Sequence, residues 1–490
     1  MFEISGLLLT PVFTGLTVWG IRNKQLCEWI HLFGSVLTVI FGLKIAYFVF
    51  TGTPFSAWND FIYIDALSAF NISITMLVSL TAALYSIGYI RHELHDNTIT
   101  GEQFHRYYLW YHFFIVSMLG VSVTNNIGFL WVAIELTTLV SALLVGFYQR
   151  GTSLEAAWKY LIMGSVGIAF ALLGIILLYI SGIDVLGEEH QALNWTVLNH
   201  VASMLNPQWM TLAFIFILVG FGTKAGFAPM HFWLPDAHSQ APSPISAVLS
   251  GVLLNTAFYG ILRIYVIANQ TLGASVHTWL LGFGLLSVAI TVPFILVQHD
   301  LKRMLAYSSV EHMGIITLGI GIGGPLGIYG ALLHMFNHSM TKSLLFLAAG
   351  NLNQVYHSKR MDRILGMIKT TPVTGILFVI AIFAITGLPP FNLFVSEFTI
   401  MLAGFRENSM WASILFIIFI GFIFAGMLFY TMKMAFGQTP LKVKPKPLSK
   451  WSTTALFIPL IFVIGFGIYV PSFMTDILNQ VALILKGAGR

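Results

Sequence analysis

The chain has 490 residues, 57% of them hydrophobic and 9% charged, with a formal net charge of +5 and a mean hydropathy of +0.84. Polar groups this scarce cannot cover a soluble surface, so the composition excludes a soluble enzyme or nucleic-acid binder and defines an integral membrane protein. The lone cysteine, Cys27, excludes an internal disulfide framework and a cysteine-ligated iron–sulfur cluster in this chain.

Apolar runs of about 20 residues recur from end to end, each long enough for a helical span. They fall near residues 4–21, 29–51, 64–90, 107–124, 126–147, 157–182 and 209–230. They continue at 243–268, 276–297, 303–322, 325–349, 372–403, 410–435 and 453–474. The pattern predicts an all-α integral membrane protein with about 14 transmembrane helices in a single domain, residues 1–490. Met1 to Gly20 lacks a basic leader and reads as a first span, not a cleavable signal.

Lys and Arg concentrate in the loops that face the cytoplasm. With the N-terminus outward, fifteen basic residues, from Arg22 and Lys24 to Lys442, Lys444, Lys446 and Lys450, fall in inward connections, against Arg406, Lys486 and Arg490 outside. The bias predicts that both termini lie on the outer side of the membrane. The connection from Asp184 to Gln208, containing Glu188 and Glu189, reads as a solvated loop.

A few ionisable residues fall inside the spans, where each costs about 2.5–3.5 kcal/mol even on a lenient insertion scale and marks an ion or proton path. They are Glu135 in FLWVAIELTTLVSALL, Lys224 in FGTKAGFAPMHFWLPDAH and Glu397 in PPFNLFVSEFTIM. His334, His338 and Lys342 follow at i, i+4 and i+8 on one helix face, and His312 lies well inside its own span. Hydrogen bonding between neighbouring helices is the plain alternative for such residues, for His312 above all. His334 and His338 have the spacing of metal ligands, but no matching carboxylate or second histidine pair stands out, so no metal site is expected. Lys159 sits where its side chain can snorkel to the membrane edge, and Asp65 reads as a helix cap.

Two spans are broken beside their charge. Pro229 and Pro235 follow Lys224, and Gly387, Pro389 and Pro390 precede Glu397. Such breaks are tolerated in a membrane only against protein or a water-filled cavity, and paired interruptions point to repeated halves. They lie five spans apart, which predicts two inverted five-helix repeats, helices 4–8 (107–268) and helices 9–13 (276–435). Glu135 then matches His312 in position, and Lys224 matches Glu397.

Along TNNIGFLWVAIELTTL, FGTKAGFAPMHFWLPDAHSQAPSPISAVLSG, DLKRMLAYSSVEHMG, LLHMFNHSMTKSLLF and GLPPFNLFVSEF the sequence resembles the antiporter-like proton-pumping subunits of respiratory complex I, Mrp-type antiporters and group 4 membrane-bound nickel–iron hydrogenases. YSIGYIRHE, SLEAAWKYLIMGSVGIAF and GIGGPLGI look most like component F of hydrogenase-4. The resemblance implies a proton pathway through Glu135, Lys224, His312, His334, His338, Lys342 and Glu397, with Lys159 and Asn255 as secondary candidates. Several relatives carry a lysine where Asn255 stands, and an amide cannot relay charge by titrating. The long lateral helix of the distal complex I subunit has no expected counterpart.

The implied function is proton translocation within a redox-driven complex, with a stand-alone or Mrp-type Na+/H+ antiporter subunit and a non-conducting scaffold as alternatives. No cofactor is expected in this chain. A nickel–iron centre and iron–sulfur clusters would belong to partner subunits, in a soluble redox module joined to further membrane subunits. Without a Gly-rich nucleotide loop or a redox site, any oxidoreductase activity would be that of the assembled complex.

Overall fold

Lipid offers backbone groups no hydrogen-bond partners, so apolar runs must close their bonds internally as helices. In the computed structural model, which describes residues 2–187, 191–440 and 448–487, they do so almost throughout. The first group is α1 (Phe2–Gly20), α2 (Lys24–Thr51), α3 (Ala66–His95), α4 (Gly101–Val123), α5 (Ile127–Val145), α6 (Gly151–Leu186) and α7 (Trp195–His200). Next come α8 (Pro207–Ala225), α9 (Trp233–Gln240), α10 (Ser243–Val248), α11 (Leu254–Leu272), α12 (Ala274–Leu296), α13 (Leu301–Ile322) and α14 (Gly324–Tyr356). The last are α15 (Met367–Thr370), α16 (Pro372–Ile385), α17 (Asn392–Arg406), α18 (Met410–Phe436), α19 (Lys450–Ala455), α20 (Phe457–Ile468) and α21 (Ser472–Leu485). A small antiparallel hairpin, β1 (Phe55–Ala57) and β2 (Ile62–Ile64), joins α2 to α3 with Phe55 opposite Ile64.

Among the described residues, eleven helical segments are long and apolar enough to cross a membrane. Helices α4 and α14 are long enough but more polar, and α16 has only 14 residues, so length and apolarity alone do not reach the fourteen predicted spans. Polar caps fix several starts: Asn126 accepts from Gly128 N (2.9 Å), Asp300 from Arg303 N (2.9 Å), and Thr100 and Gln103 form a reciprocal capping box.

Every residue from 241 to 268 is buried, and α13 and α14 are nearly as enclosed. Polar side chains on these central helices therefore face protein, and that is where most of the candidate residues lie. A π-helical turn, Leu249–Leu253, joins α10 to α11 within this core.

Both expected breaks are present, and their backbone groups are satisfied. After α8, Gly226 takes a left-handed φ of 82°, Trp233 Nε1 donates to Thr223 O (2.8 Å), and Ser287 Oγ on α12 accepts from Ala228 N (3.0 Å). Between α16 and α17, Gly387 has a φ of 68°, and Leu388 N bonds back to Phe383 O (3.0 Å). Pro229 belongs to its break, but Pro235 does not. It lies in the first turn of α9, where a backbone N–H has no intrahelical partner to lose.

Two further readings change. The connection before α8 is not simply a solvated loop, because Trp195, Leu198 and Ala202 are buried and Trp195 Nε1 donates to Arg263 O (2.8 Å). Glu188 and Glu189 lie outside the described residues, as do Lys442, Lys444, Lys446 and Arg490. Beyond the fourteenth predicted span the structure adds α21, which meets the ends of other helices: Gln480 Nε2 donates to Phe50 O on α2 (3.1 Å), and Thr475 bonds Tyr329 on α14 (3.3 Å).

Candidate functional site

Lys224 occupies the last turn of α8, immediately before the break, and is 1% exposed. Its ammonium donates to Thr138 Oγ1 on α5 (2.8 Å) and to the Tyr160 hydroxyl on α6. The donors downstream are ordered. Ser141 gives its hydrogen to Thr137 O (2.5 Å), so Tyr160 donates to Ser141 Oγ (2.6 Å) and its oxygen is left to receive the lysine.

Glu135 is the charged neighbour of Lys224, but no ion pair within 4 Å joins them. Its Oε1 accepts from Ser165 Oγ (2.9 Å), and its Oε2 makes no hydrogen bond among the described residues. Thr138 stands three residues along α5 from Glu135, on the same face. The hydroxyls of α5 and α6 thus hold the ammonium one helical turn from an uncommitted carboxylate oxygen.

The stripe of α14 faces α13. Lys342 donates to Leu305 O (2.8 Å) and to Ser308 Oγ, and the His338 ring lies 5.4 Å from that of His312. His312 Nδ1 is 2.9 Å from His334 Nε2. Ser396 Oγ gives its hydrogen to Leu393 O (3.0 Å) and so accepts from His334 Nδ1–H (3.0 Å). The network therefore places a lone pair on His334 Nε2, with His312 Nδ1–H donating to it. His312 Nδ1 is also 4.0 Å from Glu397 Oε1, which closes the file at the second break.

Gly387 backs directly onto that carboxylate: a Cβ there would overlap Glu397 Oε2. Gly387→Ala is expected to cost more than the ~1–2 kcal/mol of a left-handed alanine, because the carboxylate must also move. Its thermal midpoint should fall below that of Gly421→Ala, whose Cβ would meet nothing within 4 Å, and equal midpoints would contradict this packing.

Two members of the file were absent from the sequence reading. Glu311, on α13 beside His312, is 3% exposed, has an unpartnered Oε2 among the described residues, and has Lys342 as its charged neighbour. His238, on α9, is fully buried against Phe346 (ring centroids 5.1 Å), with both nitrogens unpartnered among the described residues and Lys302 and Lys342 as charged neighbours. The signal for Glu311 was plain, since it is a carboxylate inside a predicted span.

The secondary candidates separate from the file. Lys159 is half exposed and pairs with Glu155 (2.6 Å) and Asp236 (3.3 Å), which leaves it at the polar edge. Asn255 is buried and ties α11 to α14, donating to Ser339 Oγ (2.7 Å) and Met335 O (3.3 Å), so it acts here as a crosslink. Asp65 does cap α3, accepting from Ser68 N (3.0 Å), but it also forms a buried two-pronged pair with Arg263, 2.6 Å on each arm.

At the end bearing the basic loops, a cavity of about 490 Å3 is lined by Glu93, Arg150, Gln240, Lys302, Gln354 and Lys359 among others. Burial pushes the Lys359 ammonium below its usual range, against the opposing pull of Asp300. Its wall reaches Ala241, three residues from His238.

A multi-pass helical bundle with a buried file of lysine, histidine and glutamate between two broken helices is the architecture of an antiporter-like membrane subunit. Residues 124–424 match the transmembrane family of NADH:quinone oxidoreductases and Mrp antiporters, and the chain belongs to that family. It is 35% identical to the hydrogenase-4 component F homolog of Methylacidiphilum infernorum, across 98% of this chain and 99% of the relative. Its fold is that of a chain in the membrane-bound sulfane sulfur reductase, an archaeal respiratory membrane complex (TM-score 0.86, 22% identity, 99% and 98% of the two chains). A chain of the Mrp complex from Dietzia sp. DQ12-45-1b is equally similar in fold (TM-score 0.87, 18% identity, 99% and 98%).

Proposed function

We propose that this chain translocates protons as the antiporter-like subunit of a redox-driven membrane complex of the hydrogenase-4 kind. The file that supports this reading runs through His238, Lys342, Glu311, His338, His312 and His334 to Glu397, with the Lys224 and Glu135 unit at the other break. The two units belong to inverted repeats, residues 107–268 and 276–435, each opening its backbone beside a titratable side chain. The polar cavity supplies protons from the cytoplasmic side of the bacterial inner membrane, and both termini face the opposite side.

Each group can hold a proton and pass it to a neighbour. A charge change at Glu135 draws the Lys224 ammonium away from Thr138 and Tyr160 towards the uncommitted Oε2. Rearrangement at one unit alters the field at the next, because the intervening groups are buried and weakly screened. Oxidoreduction takes place in a soluble module, whose partner subunits hold the nickel–iron centre and iron–sulfur clusters.

The test is Glu397→Gln in the complex reconstituted into vesicles, read by a pH-sensitive dye during redox turnover. Acidification should be lost while the subunit still assembles, and normal acidification with normal assembly would refute the reading. Na+ is the other candidate ion, that of the antiporter alternative. 22Na+ movement driven by an imposed pH gradient in vesicles holding the chain without redox partners would select the antiporter alternative. Normal pumping after combined Glu135→Gln and Glu397→Gln changes would select the scaffold.

A further inference from the structure

We propose that His312, His334 and Glu397 form a binding site for a four-coordinate divalent transition metal of the Zn2+ class. Their ligating atoms all lie within 4.8 Å of one another, and all three side chains are buried. Helix spacing supplied no carboxylate to the α14 histidines. Folding does, by bringing Glu397 from the broken helix and His312 from α13 to the same point.

The distances suit a metal. His312 Nδ1 is 2.9 Å from His334 Nε2 and 4.0 Å from Glu397 Oε1. Ligands about 2.0–2.2 Å from a tetrahedral ion stand roughly 3.3–3.5 Å from one another. The first gap must open and the second close by about half an ångström, while the third, His334 to Glu397, lies between 4.0 and 4.8 Å and closes by roughly 0.6–1.4 Å as the Glu397 carboxylate swings inward.

Proton placement supplies a second, independent argument. Metal-binding histidines characteristically donate their other ring nitrogen to a fixed partner. His334 already does so, because its Nδ1–H is held by Ser396 and its Nε2 lone pair points into the cluster. At His312 the Nδ1 proton moves to Nε2 when the metal takes Nδ1, so both rings stay neutral. Glu397 binds as a carboxylate and releases any proton it holds.

Among the described residues no other group brings three such ligands together. His31 and His112 form a similar buried pair, Nδ1 to Nε2 2.9 Å, but belong to no such triad. The break puts the cluster close to the surface: Pro389 and Pro390 are exposed, and a Cβ at Gly387 would meet the Glu397 carboxylate. A metal seated there would fix the very rings that must exchange protons. That inhibitory consequence rests on the proton-transfer reading above, whereas binding itself rests only on the cluster.

The test uses the full chain in its complex, stripped with a chelator and titrated with Co2+, whose visible absorption distinguishes four-coordinate from six-coordinate binding. One saturable four-coordinate site per chain is expected. Glu397→Gln and His334→Gln should each abolish it, Ser396→Ala should weaken it by about 10–100-fold, and His31→Gln should leave it intact. No four-coordinate signal in the unmodified protein, or a signal that survives both ligand variants, would overturn the site. Proton pumping is read separately, in chelated vesicles with and without Zn2+. Co2+ binding with Zn2+-insensitive pumping upholds the site and removes this segment from the proton path. Pumping that needs Glu397 without any Co2+ binding upholds the path and removes the site.

Discussion

Replacing Lys224 with methionine should lower turnover-coupled proton transport by about 100-fold or more, the scale on which a positioned proton-transfer group acts. Methionine keeps most of the volume and removes the charge, so the fold should change little. Because no ion pair within 4 Å ties Lys224 to Glu135, the exchange relieves a buried charge without breaking a close pair. The surrounding bonds support that expectation, since Thr138 Oγ1 and the Tyr160 oxygen each lose one donor but Tyr160 still donates to Ser141 (2.6 Å). Lys224→Ala should lose the same transport and also cost stability, because it leaves a cavity. Transport can be followed by dye quenching in reconstituted vesicles, with assembly checked on native gels. Methionine at this position with undiminished pumping would remove Lys224 from the path, whatever its burial.

Why Lys224 was legible in the sequence while its partners were not is a matter of which forces leave a linear trace. A charge within an apolar run is visible in one dimension because its cost in lipid is independent of the fold. Lys224, Glu135, Lys342 and Glu397 stand out on that basis, and the structure places Lys224, Lys342 and Glu397 in buried positions with Glu135 half buried. The two breaks were legible because Pro389, Pro390 and Pro229 fix φ and remove a helix donor, while Gly387 admits the left-handed turn beside them. Pro235 was misplaced because the same restriction suits the first turn of a new helix.

What the sequence could not show is which hydroxyls receive the lysines. Thr138, Tyr160 and Ser308 are ordinary polar residues in their runs, and only packing of α5, α6 and α13 against α8 and α14 gives them partners. His238 lay inside the stretch that drew attention to Lys224, but its approach to the α14 lysine depends on how α9 folds back after the break. The π-helical turn at Leu249–Leu253 likewise has no marker in its residues. It lies where Gly251 O accepts from Ser339 Oγ on α14 (2.6 Å), a contact made across helices, as well as from Asn255 four residues on (3.3 Å).

Arg263→Met should destabilise the protein by about 3–5 kcal/mol, the usual cost of leaving one partner of a buried ion pair uncompensated. Arg263 and Asp65 are 3% and 2% exposed, and the guanidinium is further held by Ser68 Oγ (2.7 Å) and Tyr259 OH (2.9 Å) and lies 4.5 Å from the Trp195 ring. The pair fastens α11 to the start of α3, and through Trp195 to the segment preceding α8. Asp65→Asn alone should cost about as much, because it strands the buried guanidinium even though asparagine caps a helix about as well as aspartate. Combining Asp65→Asn with Arg263→Met removes both charges and keeps the cap for Ser68 N, so it should recover most of the loss. A double-mutant cycle on thermal unfolding in detergent measures this coupling. Additive losses would show that Arg263 acts through Trp195 and Tyr259 alone. A large recovery would show that charge pairing, invisible in either helix by itself, fastens the buried helix α11 to α3 within the core of the bundle.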